Sequence, residues 1–144
     1  MLKLDEYLNR MGITTDILKD RVKLAYSVAS QMCPEEIEEV FVSDYIKDDG
    51  TREYLSVWFF AKGYCMEATH KSITENSIDI VRIKTKRLQV ALKDYDFKKA
   101  TEKSRLQVTI LLEEMLEGEI KAAKENCDVL RDITIKYFKP GLAE

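Results

Sequence analysis

Apolar residues recur every three or four positions over residues 2–32, which is the spacing of one face of an α-helix. Gly12 interrupts this pattern. Pro34 ends it, because the residue before a proline is disfavoured in the α-helical region. We therefore predict two helices that form an N-terminal helical extension over residues 1–33, with Thr14 or Thr15 capping the second helix.

The pattern changes to an alternation of period two in the middle of the chain, which predicts β-strands. Both faces of the second strand are apolar, so we expect it, with Trp58, to be a central strand that is covered on both sides. The short connections favour antiparallel pairing, because parallel strands need long crossovers. The six predicted strands are Val40–Ile46, Arg52–Ala61, Tyr64–His70, Ile78–Ile83, Leu88–Tyr95 and Leu106–Leu112.

The helical period returns from Glu113 to Phe138 and predicts one long C-terminal helix, which Pro140 ends. The chain of 144 residues has the length of one domain, so we expect residues 1–144 to form a single domain. The predicted fold class is α+β. It has N-terminal helices, then a curled antiparallel sheet or partial barrel of about six strands, then the long helix.

Composition places few limits on function. A net charge of −3 gives no overall attraction to nucleic acid or to anionic membranes. The longest apolar run, Val57–Ala61, is far shorter than the roughly 20 residues of a membrane-spanning helix. The acidic start of the chain lacks the apolar region of a secretory signal. Three scattered cysteines, Cys33, Cys65 and Cys127, indicate reduced thiols. We therefore expect a cytoplasmic protein.

The residues that could support catalysis or metal binding are poorly arranged for either. Glu67 and His70 have the E-x-x-H spacing of some metal sites, but in a strand residues three apart point to opposite faces. Cys65 and His70 are about 16 Å apart along the same strand, too far for a catalytic pair. Glycine-rich phosphate-binding loops are absent from the sequence. We expect no catalytic residues, no metal and no cofactor, and hence no enzyme.

Charge is concentrated in residues 82–105, which carry nine basic and three acidic residues. We call this range the basic segment. It is a candidate site for an anionic ligand, although lysines that protect strand edges give the same pattern. The predicted ligand-binding residues are Arg82, Lys84, Lys86, Arg87, Lys98 and Lys99.

Both ends of the chain carry apolar residues that need a covering surface. They either fold back onto the chain's own sheet or pack against a second copy, and we predict a two-fold homodimer. The predicted interface residues are Leu4, Tyr7, Leu8, Met11, Tyr137 and Phe138.

The order of elements over residues 37–138 resembles that of a bacterial pleckstrin-homology-like domain, in which a C-terminal helix closes a bent antiparallel sheet. Lipid-binding members of that family carry several basic residues in the loop between their first two strands. The corresponding loop, Lys47–Arg52, has two acids and two bases, so the resemblance implies protein contact or self-assembly. The chain also resembles small acidic type III secretion chaperones, which implies a dimer.

These observations predict a non-enzymatic binding or scaffold module that contacts a protein or associates with itself. The alternative function is binding of an anionic ligand through the basic segment. That ligand is a lipid headgroup, a nucleotide or a nucleic acid.

Overall fold

The computed structural model of the protein describes residues 4–13, 16–70, 76–112 and 117–138. The predicted α+β class, N-terminal helices, antiparallel strands and C-terminal helix are confirmed. In chain order the elements are α1 (Leu4–Arg10), α2 (Asp16–Met32), β1 (Ile37–Ile46), β2 (Arg52–Ala61), β3 (Tyr64–His70), β4 (Asn76–Arg82), β5 (Arg87–Lys93), β6 (Arg105–Leu111), β7 (Glu117–Ala123) and α3 (Asn126–Tyr137).

The strands form two sheets rather than the one curled sheet that we predicted. The first has the order β1-β2-β3-β4 and the second has the order β5-β6-β7. Over the described ranges there are thus seven strands, and neither sheet closes into a barrel.

The chain divides into two compact units. Unit 1 comprises Met1–Val42 and Ser56–Arg82, and unit 2 comprises Ser43–Leu55 and Ile83–Glu144. This division passes through β1 and β2 and does not follow the predicted division into residues 1–33 and 37–138. That the whole chain acts as one domain stays a prediction.

The core of unit 1 lies around β2, which is the central strand that we predicted. Consecutive residues Val57, Trp58, Phe59 and Phe60 are all buried, so both faces of the strand are covered. The ring of Tyr26 on α2 lies 5.9 Å from that of Phe59, and Trp58 Nε1 donates a hydrogen bond to Ser56 Oγ at 3.1 Å.

The apolar face of α1 is covered by the chain's own residues. Tyr7, Leu8 and Met11 are buried, and the Val42 N–H donates to the Tyr7 hydroxyl at 2.8 Å. Leu4 and Tyr137 are half-buried, and Phe138 is buried. Four of the six predicted interface residues are thus buried within their own chain and two are half-buried. The interface and the homodimer both stay predictions.

The core of unit 2 lies between α3 and the face of the β5-β6-β7 sheet. Alternate residues of β6, from Leu106 to Ile110, are buried, and α3 packs against β6 and β7 through Cys127, Leu130 and Ile133. The apolar face that alternation gives to β6 is thus covered by the apolar face that the helical period gives to α3.

The prediction of one helix from Glu113 to Phe138 is wrong, because residues 117–123 form β7 and only residues 126–137 are helical. β7 pairs with β6 along its whole length, and Lys124 then takes a left-handed φ of 55° in the turn to α3. Ile120 and Ala123 are three residues apart, a spacing that suits either a helix or a buried strand end. Residues 113–116, which include Leu116, lie outside the described residues.

Candidate functional site

Side chains satisfy the outward-facing peptide groups of Lys121 and Ala123 at the C-terminal end of β7, beside which no further strand lies in the described ranges. Ser43 Oγ accepts from the Lys121 N–H at 2.9 Å and donates to the Lys121 carbonyl at 3.3 Å. Asp44 Oδ1 accepts from the Ala123 N–H at 3.2 Å, and Arg52 Nη2 donates to the Ala123 carbonyl at 3.1 Å. We call Ser43, Asp44 and Arg52 the edge cap. It satisfies peptide groups that an edge strand otherwise leaves to solvent or to another chain.

The edge cap contains an ion pair between the fully buried Asp44 and the largely buried Arg52. Arg52 Nε donates to Asp44 Oδ2, and Arg52 Nη1 donates to Glu125 Oε1 at 2.9 Å. Asn126 Nδ2 donates to Asp44 Oδ1 at 2.9 Å. Burial raises the pKa of Asp44, against the opposing effects of Asn126 and Arg52. Both carboxylate oxygens and all three guanidinium nitrogens have partners within the protein, so this cluster has a structural role.

The other edge of the same sheet is open. β5 pairs with β6 on one side, and no strand lies on its other side in the parts of the chain that the structure describes. Its residues are exposed apart from the half-buried Leu88, and Val90 and Leu92 are 36% and 49% exposed. Arg87 and Lys93 lie at its two ends. We call the outer side of β5 the open edge.

A cavity of about 340 Å³ lies in unit 2, between the end of β1 and the β5-β6-β7 sheet. Three cations contribute to its lining, Lys93 from β5, Arg105 from β6 and Lys121 from β7, and we call it the basic cleft. Tyr45, Gln107 and apolar residues, including Leu106, complete the lining. Among the described residues that line it there is no aspartate or glutamate.

The strand register brings these cations onto one face of the sheet. Lys93 lies directly opposite Arg105, and Lys121 lies opposite Gln107, two residues further along β6. Lys121 Nζ is 5.4 Å from the centroid of the Tyr45 ring. Positions two apart in a strand share a face, so the three positive charges converge on one end of the sheet.

Acidic residues on the same face lie towards its other end. Glu117 and Glu119 line a smaller cavity of about 220 Å³, together with Arg87 and other polar residues. Gln107 Nε2 donates to Glu119 Oε1 at 3.5 Å. One end of this face is therefore basic and the other is largely acidic.

The structure does not bring together the five predicted ligand-binding residues that belong to unit 2. All six are exposed, but Arg82 belongs to unit 1 and the other five to unit 2. Lys86 and Arg87 lie at the start of β5, whereas Lys98 and Lys99 follow its other end, roughly 20 Å away along a strand of this length. These two pairs are far apart because the chain between them runs along the extended strand β5.

The loop that carries Lys98 and Lys99 is fixed by its own acid and by α3. The N–H groups of Lys99 and Lys98 donate to Asp96 Oδ1 at 3.1 and 2.9 Å, which lowers the pKa of Asp96. The Tyr95 hydroxyl donates to Asp128 Oδ1 at 2.6 Å. This loop is therefore organised by backbone hydrogen bonds and by its anchor on α3.

The thiols of Cys65 and Cys127 are poor nucleophiles in this setting. All three cysteines are free and buried, as expected for reduced thiols. Burial raises the pKa of Cys65 and of Cys127 to about 12, so both stay protonated at neutral pH. β3 is a strand, which places the backbone positions of Glu67 and His70 on opposite faces, while the side chain of His70 lies outside the described residues.

Two groups of features are absent from the described ranges. No group of three or more histidine, cysteine, aspartate and glutamate residues is placed to hold a metal ion. No helix in those ranges has the length and apolar character to cross a membrane.

Comparison of the chain with protein-family models, with curated proteins and with solved structures finds no match. The resemblances to pleckstrin-homology-like domains and to type III secretion chaperones therefore stay predictions.

Proposed function

We propose that the protein is a non-enzymatic module that binds an extended segment of another protein along the open edge of β5. The observation that carries this proposal is the contrast between the two edges of one sheet. Side chains of the edge cap satisfy the peptide groups of Lys121 and Ala123 on β7, whereas the residues of β5 are exposed along nearly its whole length. An exposed edge strand is a template for strand addition, in which peptide hydrogen bonds give affinity and alternate side chains give specificity.

The side chains of β5 define the chemistry of the partner. Leu88, Val90 and Leu92 lie on one face, and the cations Arg87 and Lys93 lie on the other. An added strand buries the exposed apolar surface when it carries apolar residues at alternate positions. Acidic residues on its other face then lie opposite the two cations, where each opposite-charge pair contributes about 0.2–1 kcal/mol.

A second copy of this chain is a poorer occupant of the same edge. Antiparallel pairing of β5 with itself over its full length places Arg87 of each copy opposite Lys93 of the other, and like charges at opposed positions are destabilising. We therefore propose an acidic segment of a different protein. The homodimer predicted from the sequence is a separate question, which sedimentation at micromolar concentration answers.

The test is a titration of the isotope-labelled protein with a synthetic peptide of about nine residues, followed by amide chemical shifts and hydrogen exchange. The peptide alternates valine and threonine and ends in glutamates. We expect shifts and slowed exchange that concentrate on residues 87–93. A peptide with a central proline cannot complete the backbone ladder and is the negative control.

A charge swap supplies the matched control. In the double variant Arg87→Glu/Lys93→Glu, the preference should reverse, so that a lysine-ended peptide binds better than the glutamate-ended one. Two cross-strand charge pairs account for a change of about 2- to 30-fold in relative affinity. The proposal fails if the folded protein shows no response at β5 to either peptide. If the β5 amides respond only to a second copy of the chain and to neither peptide, the occupant of this edge is another copy of the protein and not a segment of a different protein.

A further inference from the structure

We infer that the basic cleft is a separate binding site for a phosphate monoester carried on a small apolar or aromatic molecule. This inference goes beyond the proposed function, because it rests on a cavity rather than on a strand edge and shares only the end of β5, with Lys93, with the peptide site. Lys121 and Tyr45 are central to it, and neither belongs to β5.

Like charges are placed unfavourably in the strands that line the basic cleft. Lys93 and Arg105 lie directly opposite one another in antiparallel strands, where two cations destabilise the sheet. Lys121 adds a third positive charge on the same face, one pair of residues further along. Positions at which a sequence departs from the requirements of stability are typical of functional sites. A bound anion converts this repulsion into attraction.

The hydrogen-bonding groups and charges of the cleft suit a phosphate dianion. Arg105 is held in place by the Ser104 carbonyl, to which its Nη1 donates at 2.7 Å. The two lysines add compact positive charges, which bind phosphate without a fixed geometry. A phosphate monoester carries nearly two negative charges at neutral pH and three acceptor oxygens, whereas a carboxylate carries one charge and two oxygens. Three converging cations therefore favour the phosphate.

The cleft is also larger and less polar than a phosphate group alone requires. Its volume of about 340 Å³ lies at the lower end of the range for small-molecule sites. The lining also includes Tyr45 and apolar residues such as Ile46 and Ala91. These surfaces suit the organic part of the ligand, and the cations suit its phosphate.

The probes are phenyl phosphate, inorganic phosphate and phenol, each titrated into the intact protein at low ionic strength and followed by calorimetry and amide chemical shifts. We expect phenyl phosphate to bind several-fold more tightly than inorganic phosphate, and phenol not to bind. Binding should weaken as salt is added, because the cations are partly exposed to solvent. The shifted amides should include those of residues 45, 93, 105 and 121.

Two charge-removing variants separate a specific site from diffuse attraction. Lys121→Gln should weaken phenyl phosphate binding by about tenfold or more, which corresponds to the loss of one charged hydrogen bond. Lys103→Gln removes the same charge from an exposed position in the loop of unit 2, and should leave the affinity unchanged. Equal weakening by both variants would overturn the inference, as would the absence of binding by either phosphate.

Stability and ring contacts provide two further readouts. Lys93→Gln relieves the repulsion with Arg105, so it should raise the thermal unfolding midpoint while it lowers the phosphate affinity; a fall in the midpoint contradicts this argument. Tyr45→Leu should reduce the affinity for phenyl phosphate and leave that for inorganic phosphate unchanged. Peptide binding at β5 should survive Lys121→Gln, so failure of the cleft and failure of the proposed function are distinguishable.

Discussion

Replacement of Asp44 by alanine tests whether the edge cap holds unit 2 together. The carboxylate is fully buried and accepts hydrogen bonds from the Ala123 N–H, from Asn126 Nδ2 and from Arg52 Nε. The substitution removes all three acceptors at once. It leaves a buried amide, a buried side-chain donor and a largely buried positive charge without their partner.

The expected magnitude follows from that loss. Removal of one partner from a buried ion pair typically costs about 3–5 kcal/mol. The Arg52 side chain is 18% exposed and also contacts Glu125, so we expect the lower end, about 3 kcal/mol. An ordinary domain has about 5–15 kcal/mol of stability, so the variant should fold but unfold at much lower denaturant.

The assay is urea unfolding at pH 7, followed by circular dichroism and by the fluorescence of the single tryptophan. With a urea slope of about 1–3 kcal/mol per molar, the midpoint should fall by about 1–3 M. Asp48→Ala is the control, because Asp48 is exposed in the β1–β2 turn, and its midpoint should stay within experimental error. Trp58 belongs to unit 1 and Asp44 to unit 2, so the two signals also report whether the units unfold together.

A double-mutant cycle sharpens the result. Asp44→Ala/Arg52→Ala leaves no buried charge unpaired, since Glu125, which also loses Arg52, is exposed to solvent; the double variant should be more stable than the sum of the single variants predicts, by about 1–3 kcal/mol. A loss below about 1 kcal/mol in Asp44→Ala, or strict additivity in the cycle, would refute the structural role that we assign to the edge cap.

Three further predictions concern buried groups. Tyr95→Phe removes the hydrogen bond to Asp128 and should cost about 1.5–3 kcal/mol. Burial raises the pKa of Tyr95 above its usual 10.0, so its contribution is complete below about pH 10 and is lost as the pH rises further; unfolding at pH 8 and 10.5 measures this. Trp58 is 4% exposed, so its emission should be blue-shifted and resist acrylamide, and Trp58→Ala should cost about 3–5 kcal/mol. Cys65 and Cys127 should react slowly with a thiol reagent until urea unfolds the chain, and rapid native-state reaction would contradict their burial.

The parts of the fold that local patterns specify were predictable from the sequence. The bounds of β2 and β3 match the prediction because alternation and a two-residue turn at Lys62–Gly63 define both strands. Gly63 takes a φ of +82° there, which glycine adopts without strain. The end of α2 follows in the same way from the steric effect of Pro34 on the preceding residue.

β7 was not predictable, because the interactions that stabilise it are distant in the sequence. Its residues include glutamate, lysine and alanine, which favour helices, and its apolar positions fit a helical period. Its outer edge is satisfied by Ser43, Asp44 and Arg52, about 70–80 residues earlier in the chain. Tertiary pairing thus outweighs local propensity.

The basic cleft was only partly visible for the same reason. Lys93 and Arg105 both belong to the basic segment, but only the antiparallel register shows that they oppose one another. Lys121 was hidden within the predicted helix, and Tyr45 lies nearly fifty residues before Lys93. Net charge along the chain therefore indicated the sign of the site but not its position.

The edge cap also gives the β5-β6-β7 sheet a direction for strand addition. A sheet with two available edges can propagate in both directions, as in a fibril, where each added strand exposes the next template. Here side chains that belong to the fold itself occupy the peptide groups of Lys121 and Ala123 on the β7 side. A strand that adds to this sheet is therefore directed to β5, so that growth by strand addition has one available direction instead of two.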